Sequence, residues 1–359
     1  MSRARKVPVA DDLPEPDRID GQPHPRETYR LTGQDAALIR AARAIRSGRP
    51  PHAWLIAGPP GIGKATLAYR IARYVLRYGA TQAGPADLAV PTEDRAAHLV
   101  EKQSHPGLLV LRRPYNFKTS KLMTVVSVDE IRKVGEFFGM TATEEGGWRI
   151  AIVDSADEMN DQAANALLKI LEEPPARALL MVIANAPGRL LPTIRSRCRR
   201  LDLRPLDAAA MSRELEERLP DMAAEDRAAL AAIAEGSLGL ALSLANDDGL
   251  VLAREAEALV ARSGAPDIRG FLALAEKFAR GGGEKLPLFG RFLTQTLAKR
   301  IRARAASRGA AELDRWVTLW EKLERNFARA DALNLDPRQT VLGSAFALAE
   351  TKRAAGGAP

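Results

Sequence analysis

The sequence predicts an α/β domain on a parallel sheet, built around one phosphate-binding loop and followed by a purely helical remainder. Three observations carry this. Trp54-Leu-Ile-Ala-Gly58-Pro-Pro-Gly61-Ile-Gly63-Lys64-Ala65-Thr66 runs from an apolar stretch through a glycine-rich turn into a helical segment. Further short runs are apolar throughout rather than alternating, as in strands covered on both faces. From about residue 207 onward only helical periodicity remains.

Composition bounds the function. The 359 residues are 46% hydrophobic and 27% charged, enough for a core and for two or three domains. No apolar run reaches the roughly 18 residues that a membrane helix needs. Met1 to Pro25 carries charges and five prolines but no apolar stretch, so it is not a secretory signal. The single cysteine, Cys198, excludes an intrachain disulfide and a four-cysteine zinc site. The cytoplasm is the expected location. Lys and Arg number 53 against 45 acids, a net +8 with a pI near 9.7. That balance favours nucleic acid or acidic partners, and it also fits an arginine-rich composition drawn from a GC-rich genome.

In chain order, residues 1–28 read as an extended or disordered arm rich in Pro, Asp and Arg. Tyr29 to Gln34 leads into a helix with Ala37, Leu38, Ala41, Ala42 and Ile45 inward, stopped by Ser47-Gly48-Arg-Pro50-Pro51. The phosphate-loop unit fills 53–78, with its helix over Leu67 to Tyr78. Residues 79–105 look polar and irregular. Gly107 to Leu111 is a strand. Val128 to Met140 is a helix with Ile131, Val134, Phe137 and Phe138 on one side, and Gly146-Gly147 turns into a buried strand over Trp148 to Asp154. Asn160 or Asp161 caps the next helix, whose inward face is Ala164, Leu167, Leu168 and Leu171, ended by Pro174-Pro175. Ala178 to Ala184 and Arg199 to Leu203 complete the strands, and Pro205 closes the domain. Helices then fill 207–247, with Leu215, Leu219, Leu230, Ile233 and Leu238 to Leu244, and 250–262. Ser263 to Pro266 marks a boundary. The last stretch, 267–356, is helical with a breaker at Gly281-Gly-Gly283. Its Trp316, Trp320, Leu323 and Phe327 face reads as core or subunit interface.

The loop's chemistry follows from its residues. Gly58, Pro59, Pro60, Gly61, Ile62 and Gly63 let backbone N–H groups point inward on phosphate oxygens. The helix start adds its positive dipole end, and Lys64 a mobile charge. The magnesium-holding hydroxyl should follow the lysine directly. Ala65 stands there, and Thr66 is rotated by about 100° around the helix. The pattern supports nucleotide binding and argues against hydrolysis; a glycine turn capping a helix is the plainer alternative.

Three segments together resemble clamp loader subunits of bacterial DNA polymerase III, of the AAA+ class, and among them the delta-prime type. They are the loop unit, the run from Ile152-Val-Asp154 through Ala-Asn165-Ala-Leu-Leu-Lys169 to Glu172-Glu173-Pro174-Pro175, and Leu191-Pro-Thr-Ile-Arg195-Ser196-Arg197-Cys198. The resemblance covers about 29–250. It implies an AAA+ P-loop core at 29–206, a small helical lid at 207–264 and an all-α collar and oligomerisation domain at 265–359, after a flexible arm at 1–28. It implies a hetero-oligomer with gamma/tau and delta subunits that opens a sliding clamp and grips primed DNA under ATP control, with no membrane partner. It also implies that Arg197 is an arginine finger for the neighbouring subunit's ATP site. A planar, permanently charged guanidinium suits that role, although by composition alone Arg197 is one surface arginine among Arg195, Arg199 and Arg200.

The departures from the family's motor subunits are equally specific. Besides Ala65, Ser155 stands where motors carry a water-activating glutamate after Asp154, and Leu240 where they carry a lid arginine. Asp157 and Glu158 read as helix-entry or solvated acids. Asn185 falls at the sensor-1 position, or is a strand-end turn residue. ATP or ADP therefore suits the loop without turnover. The 79–105 segment lacks the cysteines of the family's zinc module, and His98 with His105 cannot complete a tetrahedral site, so no zinc is expected. Cys198 reads as a packed residue. The runner-up is a gamma/tau-like ATPase motor. A third reading is a non-specific DNA-binding module, resting on Lys299, Arg300, Arg302, Arg304 and Arg308.

Overall fold

The computed structural model describes residues 15, 17–116, 121–123, 125–140, 147–246, 248–262, 267–280, 285–305, 313–333 and 335–354. Expectations at Gly146, Ser263 to Pro266, Gly281 to Gly283 and Arg308 lie outside them. The chain packs as two units, Met1–Ser243 and Leu244–Pro359; the division falls inside the 207–264 segment.

Unit one holds α1 (Asp35–Arg46), β1 (Ala53–Ala57), α2 (Lys64–Tyr78), α3 (Arg95–Glu101) and β2 (Leu108–Leu111). The antiparallel pair β3 (Tyr115–Asn116) and β4 (Lys121–Leu122) follows, then α4 (Val128–Gly139), β5 (Arg149–Val153) and α5 (Asp161–Glu172). Next come β6 (Ala178–Ala184), α6 (Pro192–Arg197), β7 (Arg199–Asp202), α7 (Ala208–Arg218), α8 (Ala224–Ala234) and α9 (Leu238–Asn246), whose last turn crosses into unit two.

The five long strands form one sheet in the order β2-β5-β6-β1-β7, every pair parallel. The continuous apolar runs are explained by this position: β1 and β6 are buried at every residue. Alternate residues feed separate cores. Trp54 and Ile56 pack with α1 and α2 on one face, while Ala53, Leu55 and Ala57 pack with α4, α5 and α6 on the other. Asn160 caps α5, its side chain accepting from Ala163 N at 2.8 Å. Phe137 and Leu168 are only half-buried.

Two expectations change. The 79–105 segment contains α3, too short to show a period, with Asp94 accepting from Ala96 N as its cap. The arm is not free along its described part. His24 is fully buried, and Arg73 of α2, itself buried, donates to Arg26 O and Thr28 O at 2.7 and 2.9 Å. These backbone carbonyls satisfy a guanidinium that burial would otherwise penalise.

Unit two contains α10 (Gly249–Arg262), α11 (Ile268–Arg280), α12 (Leu286–Ala305), α13 (Asp314–Leu333) and α14 (Pro337–Ala354). Aromatic contacts run through its core: Phe278 to Phe289 at 4.7 Å between ring centroids, and Phe289 to Phe327 at 6.3 Å. Trp316, Leu323 and Phe327 are buried as the spacing predicts, while Leu319 rather than Trp320 fills the fourth place.

Candidate functional site

β1, β6 and β5 lie side by side and parallel, so their C-terminal ends share one edge of the sheet. Gly58, Asn185 and Asp154 are the first residues past those ends. This is the edge where open parallel sheets bind ligands. The sequence-predicted loop, Gly58 to Gly63, leads directly into α2 at Lys64, with Gly63 left-handed at φ 96°. Gly58 needs its missing Cβ, since one would lie 2.7 Å from Leu203 O. Gln34, buried, ties the loop to the end of the sheet by donating to Ile62 O and Arg204 O and accepting from Arg204 N.

Lys64 is almost wholly buried and turned back on its own loop. Its ammonium donates to Gly58 O at 2.8 Å and Pro59 O at 2.5 Å. Burial pulls its pKa down to about 8, against the pull of Asp154 and Asp157. Asp154 is pushed up to about 6, first by burial and next by the nearby Asp17 carboxylate, with the Arg112 guanidinium opposing. Ser155 is left-handed at φ 54° and donates its backbone N–H to Asp154 Oδ1.

The turn into α9 rests on the loop. Ser237 Oγ donates to Pro60 O at 2.8 Å, and Gly239 N to Gly61 O at 2.8 Å. A Cβ on Gly239 would lie 2.8 Å from Gly61 Cα, so the two backbones are in direct contact. Leu240, at the expected lid-arginine position, donates its N–H to Ser237 Oγ. α7 is fastened to the 30–32 segment by Glu214, buried and bonded to Arg30, Thr32 and Arg218.

Asp157 is not a solvated acid. Its two carboxylate oxygens accept from Asn185 N at 3.0 Å and Ala186 N at 2.9 Å, pinning the turn after β6. Glu158 pairs with Arg113 at 3.1 Å. The donor set around Asp154 does not fit a magnesium ion. Ala65 supplies no hydroxyl, Thr66 is buried on α2, and the positive charge beside Asp154 is the protein's own, from Arg112 and Lys64. Arg112 is held in turn by Asp17, Glu15 and Tyr69 Oη. Nothing in the local pattern announced this cluster, because Asp17 and Arg112 are 95 positions apart (112 − 17).

Arg197 stands elsewhere, at the end of α6. Its side chain is 37% exposed; Nη1 donates to Thr193 O at 3.1 Å and Nη2 pairs with Glu172 Oε1 at 3.0 Å. Cys198 behind it is buried, and burial pushes its thiol up to about 12, away from reactivity. His105 Nδ1 accepts from Gly107 N, and His98 pairs with Glu101. Among the described residues no three His, Cys, Asp or Glu side chains converge on a metal-sized site, and no helix is long and apolar enough to cross a membrane.

Residues 33–207 match the family described as "DNA polymerase III, delta subunit". The chain is 38% identical to DNA polymerase III subunit delta' of Pseudomonas aeruginosa over 52% of its length and 53% of that protein. It is 33% identical to DNA polymerase III subunit delta' of Escherichia coli over 57% of its length and 58% of that protein. It is also 28% identical to DNA polymerase III subunit tau of Escherichia coli, over 71% of its length and 38% of that protein. The matches thus span a little over half of the delta' relatives. Across this region the chain is similar to delta-prime clamp loader subunits, and the parallel sheet leading into a glycine loop and helix is the architecture that the sequence predicts.

Proposed function

We propose that the chain is a non-motor subunit of the DNA polymerase III clamp loader, lending Arg197 to the ATP site of a neighbouring subunit. The carrying observation is an asymmetry. The chain's own loop is closed and stripped: Lys64 is spent on Gly58 O and Pro59 O, Gly239 sits on Gly61, and Ala65, Ser155 and Leu240 replace the metal-holding, water-activating and charge-sensing groups. Arg197 keeps its charge at the surface. A subunit that serves its neighbour loses the first set and retains the second.

In this reading ATP or ADP that enters the loop is held, not hydrolysed, and the lid must part from Pro60 and Gly61 to admit it. No zinc takes part. The working form is a cytoplasmic hetero-oligomer with gamma/tau and delta subunits, acting on a sliding clamp and primed DNA. The guanidinium would neutralise charge developing on the neighbour's phosphates, the standard contribution of such a finger.

The test is steady-state ATP hydrolysis by the loader reconstituted with cognate motor and delta subunits, clamp and primed DNA. Arg197→Ala should lower the rate at the site it serves by about 10³-fold, the low end for a lost finger. An unchanged rate in that variant sinks the assignment. The second reading, a gamma/tau-like motor, is favoured by the retained glycines and Lys64. It predicts hydrolysis by the isolated chain, lost in Lys64→Ala.

A further inference from the structure

We propose that Glu172 is the placeholder for the phosphate: a positioning residue that holds Arg197 until a neighbour's nucleotide takes it over. This rests on the finger reading above.

Glu172 is the last residue of α5, stopped there by Glu173 and the Pro174-Pro175 pair. A carboxylate at a helix C-terminus faces the negative end of the dipole, and Glu173 adds a second negative charge. Glu172 is thus badly placed for α5 itself. It is well placed for α6, which packs against α5 and brings the Arg197 guanidinium to 3.0 Å from Glu172 Oε1.

The geometry of the fork matters next. One terminal nitrogen, Nη1, is held by Thr193 O within α6, which fixes the guanidinium's direction. The other, Nη2, meets a carboxylate oxygen. A phosphate presents the same kind of acceptor with more charge. Glu172 is 52% exposed and Arg197 37%, so water screens the pair. Exposed pairs of this kind are weak, hence exchangeable. Once a nucleotide phosphate approaches across an interface, the Glu172 carboxylate is a like charge beside it. The same desolvation that strengthens arginine with phosphate weakens the case for keeping Glu172 in contact. The pair therefore opens when the finger engages, and opening it is a cost the assembled enzyme bears at that step.

Steady-state hydrolysis by the reconstituted loader, with clamp and primed DNA, tests this in Glu172→Gln, Glu172→Ala, Arg197→Ala and the double variant Glu172→Gln with Arg197→Ala. Removing the carboxylate should raise kcat by about two- to fivefold, the span for releasing one exposed pair, with KM for ATP unchanged. The gain should vanish when Arg197 is absent. It should also shrink as salt is raised, because salt screens the pair in the parent chain. Glu172→Asp, which keeps the charge, should stay near the parent rate. If Glu172→Gln and Glu172→Ala run at or below the parent rate while Arg197→Ala is slow, the placeholder role is wrong and the finger reading stands. If Arg197→Ala is as fast as the parent, the finger reading fails and takes the placeholder with it.

Discussion

Asp154 and Lys64 show what burial does to two charges that the loop's motif would put to work. Asp154 is held up at about 6, chiefly by burial. A carboxyl that grips its proton more tightly folded than unfolded stabilises the fold while protonated. That contribution is full below the unfolded value of about 4, and it is lost as pH rises through about 6. Lys64 runs the other way on the alkaline side. Its pKa, pulled down to about 8, means that the buried ammonium costs stability at neutral pH, and the cost fades above that value. Asp154→Asn keeps an acceptor for Ser155 N and removes the ionisation. Its stability advantage over the parent should be about 1 kcal/mol larger at pH 8 than at pH 5. Urea denaturation at the two pH values checks this, and an advantage independent of pH would contradict it.

Among the elements, α9 and the phosphate loop meet backbone to backbone, and that contact depends on two glycines. Gly239→Ala would put a Cβ 2.8 Å from Gly61 Cα, with backbone rather than a flexible side chain in the way. Overpacking of this kind costs roughly 1–3 kcal/mol. Amide hydrogen exchange over 58–63 and 238–243 should accelerate in that variant, and unchanged protection would mean that α9 does not lean on the loop. Gly343, inside α14 and exposed, is the contrast: nothing lies within 4 Å of its would-be Cβ. Gly343→Ala should stabilise by about 0.5–1 kcal/mol through helix propensity alone, read as a rise in Tm. These elements also show what the sequence reveals and what it hides. β6 is legible residue by residue and α5 down to a cap at Asn160 or Asp161, which the structure places at Asn160, because apolar runs, caps and loop glycines are local signals. α3 was missed because seven residues hold barely two turns. The loop and Asp154, and Arg197 apart from them on α6, are visible as motif positions. The Asp157 clamp, the Gln34 staple and the Glu172 pair are not, since each joins residues that only the folded chain brings together.

At the scale of the whole molecule, the basic balance and the missing cis groups lead to different experiments. A net +8 spread over two units is enough for weak phosphate contact, with Lys299 and Arg302 exposed on α12. Binding of that origin to duplex DNA should weaken steeply with salt and ignore sequence. It would appear in the isolated chain. Nucleotide turnover should not. Cis hydrolysis needs a metal-holding hydroxyl and a base for water, and Ala65 and Ser155 offer neither. Under the proposed non-motor reading, Lys64 holds phosphate without turnover, and its loss leaves the assembled rate nearly untouched. On the proposed reading, Lys64→Ala should therefore change ATP hydrolysis by a reconstituted loader by no more than about twofold, while Arg197→Ala should remove a group that serves a neighbour's site. The contrast between the two variants is sharper than either rate alone, because both are single charge deletions in one chain. If Lys64→Ala is as damaging as Arg197→Ala, this chain's own loop is catalytic, and the lid contact on Gly61 is a resting state that ATP opens.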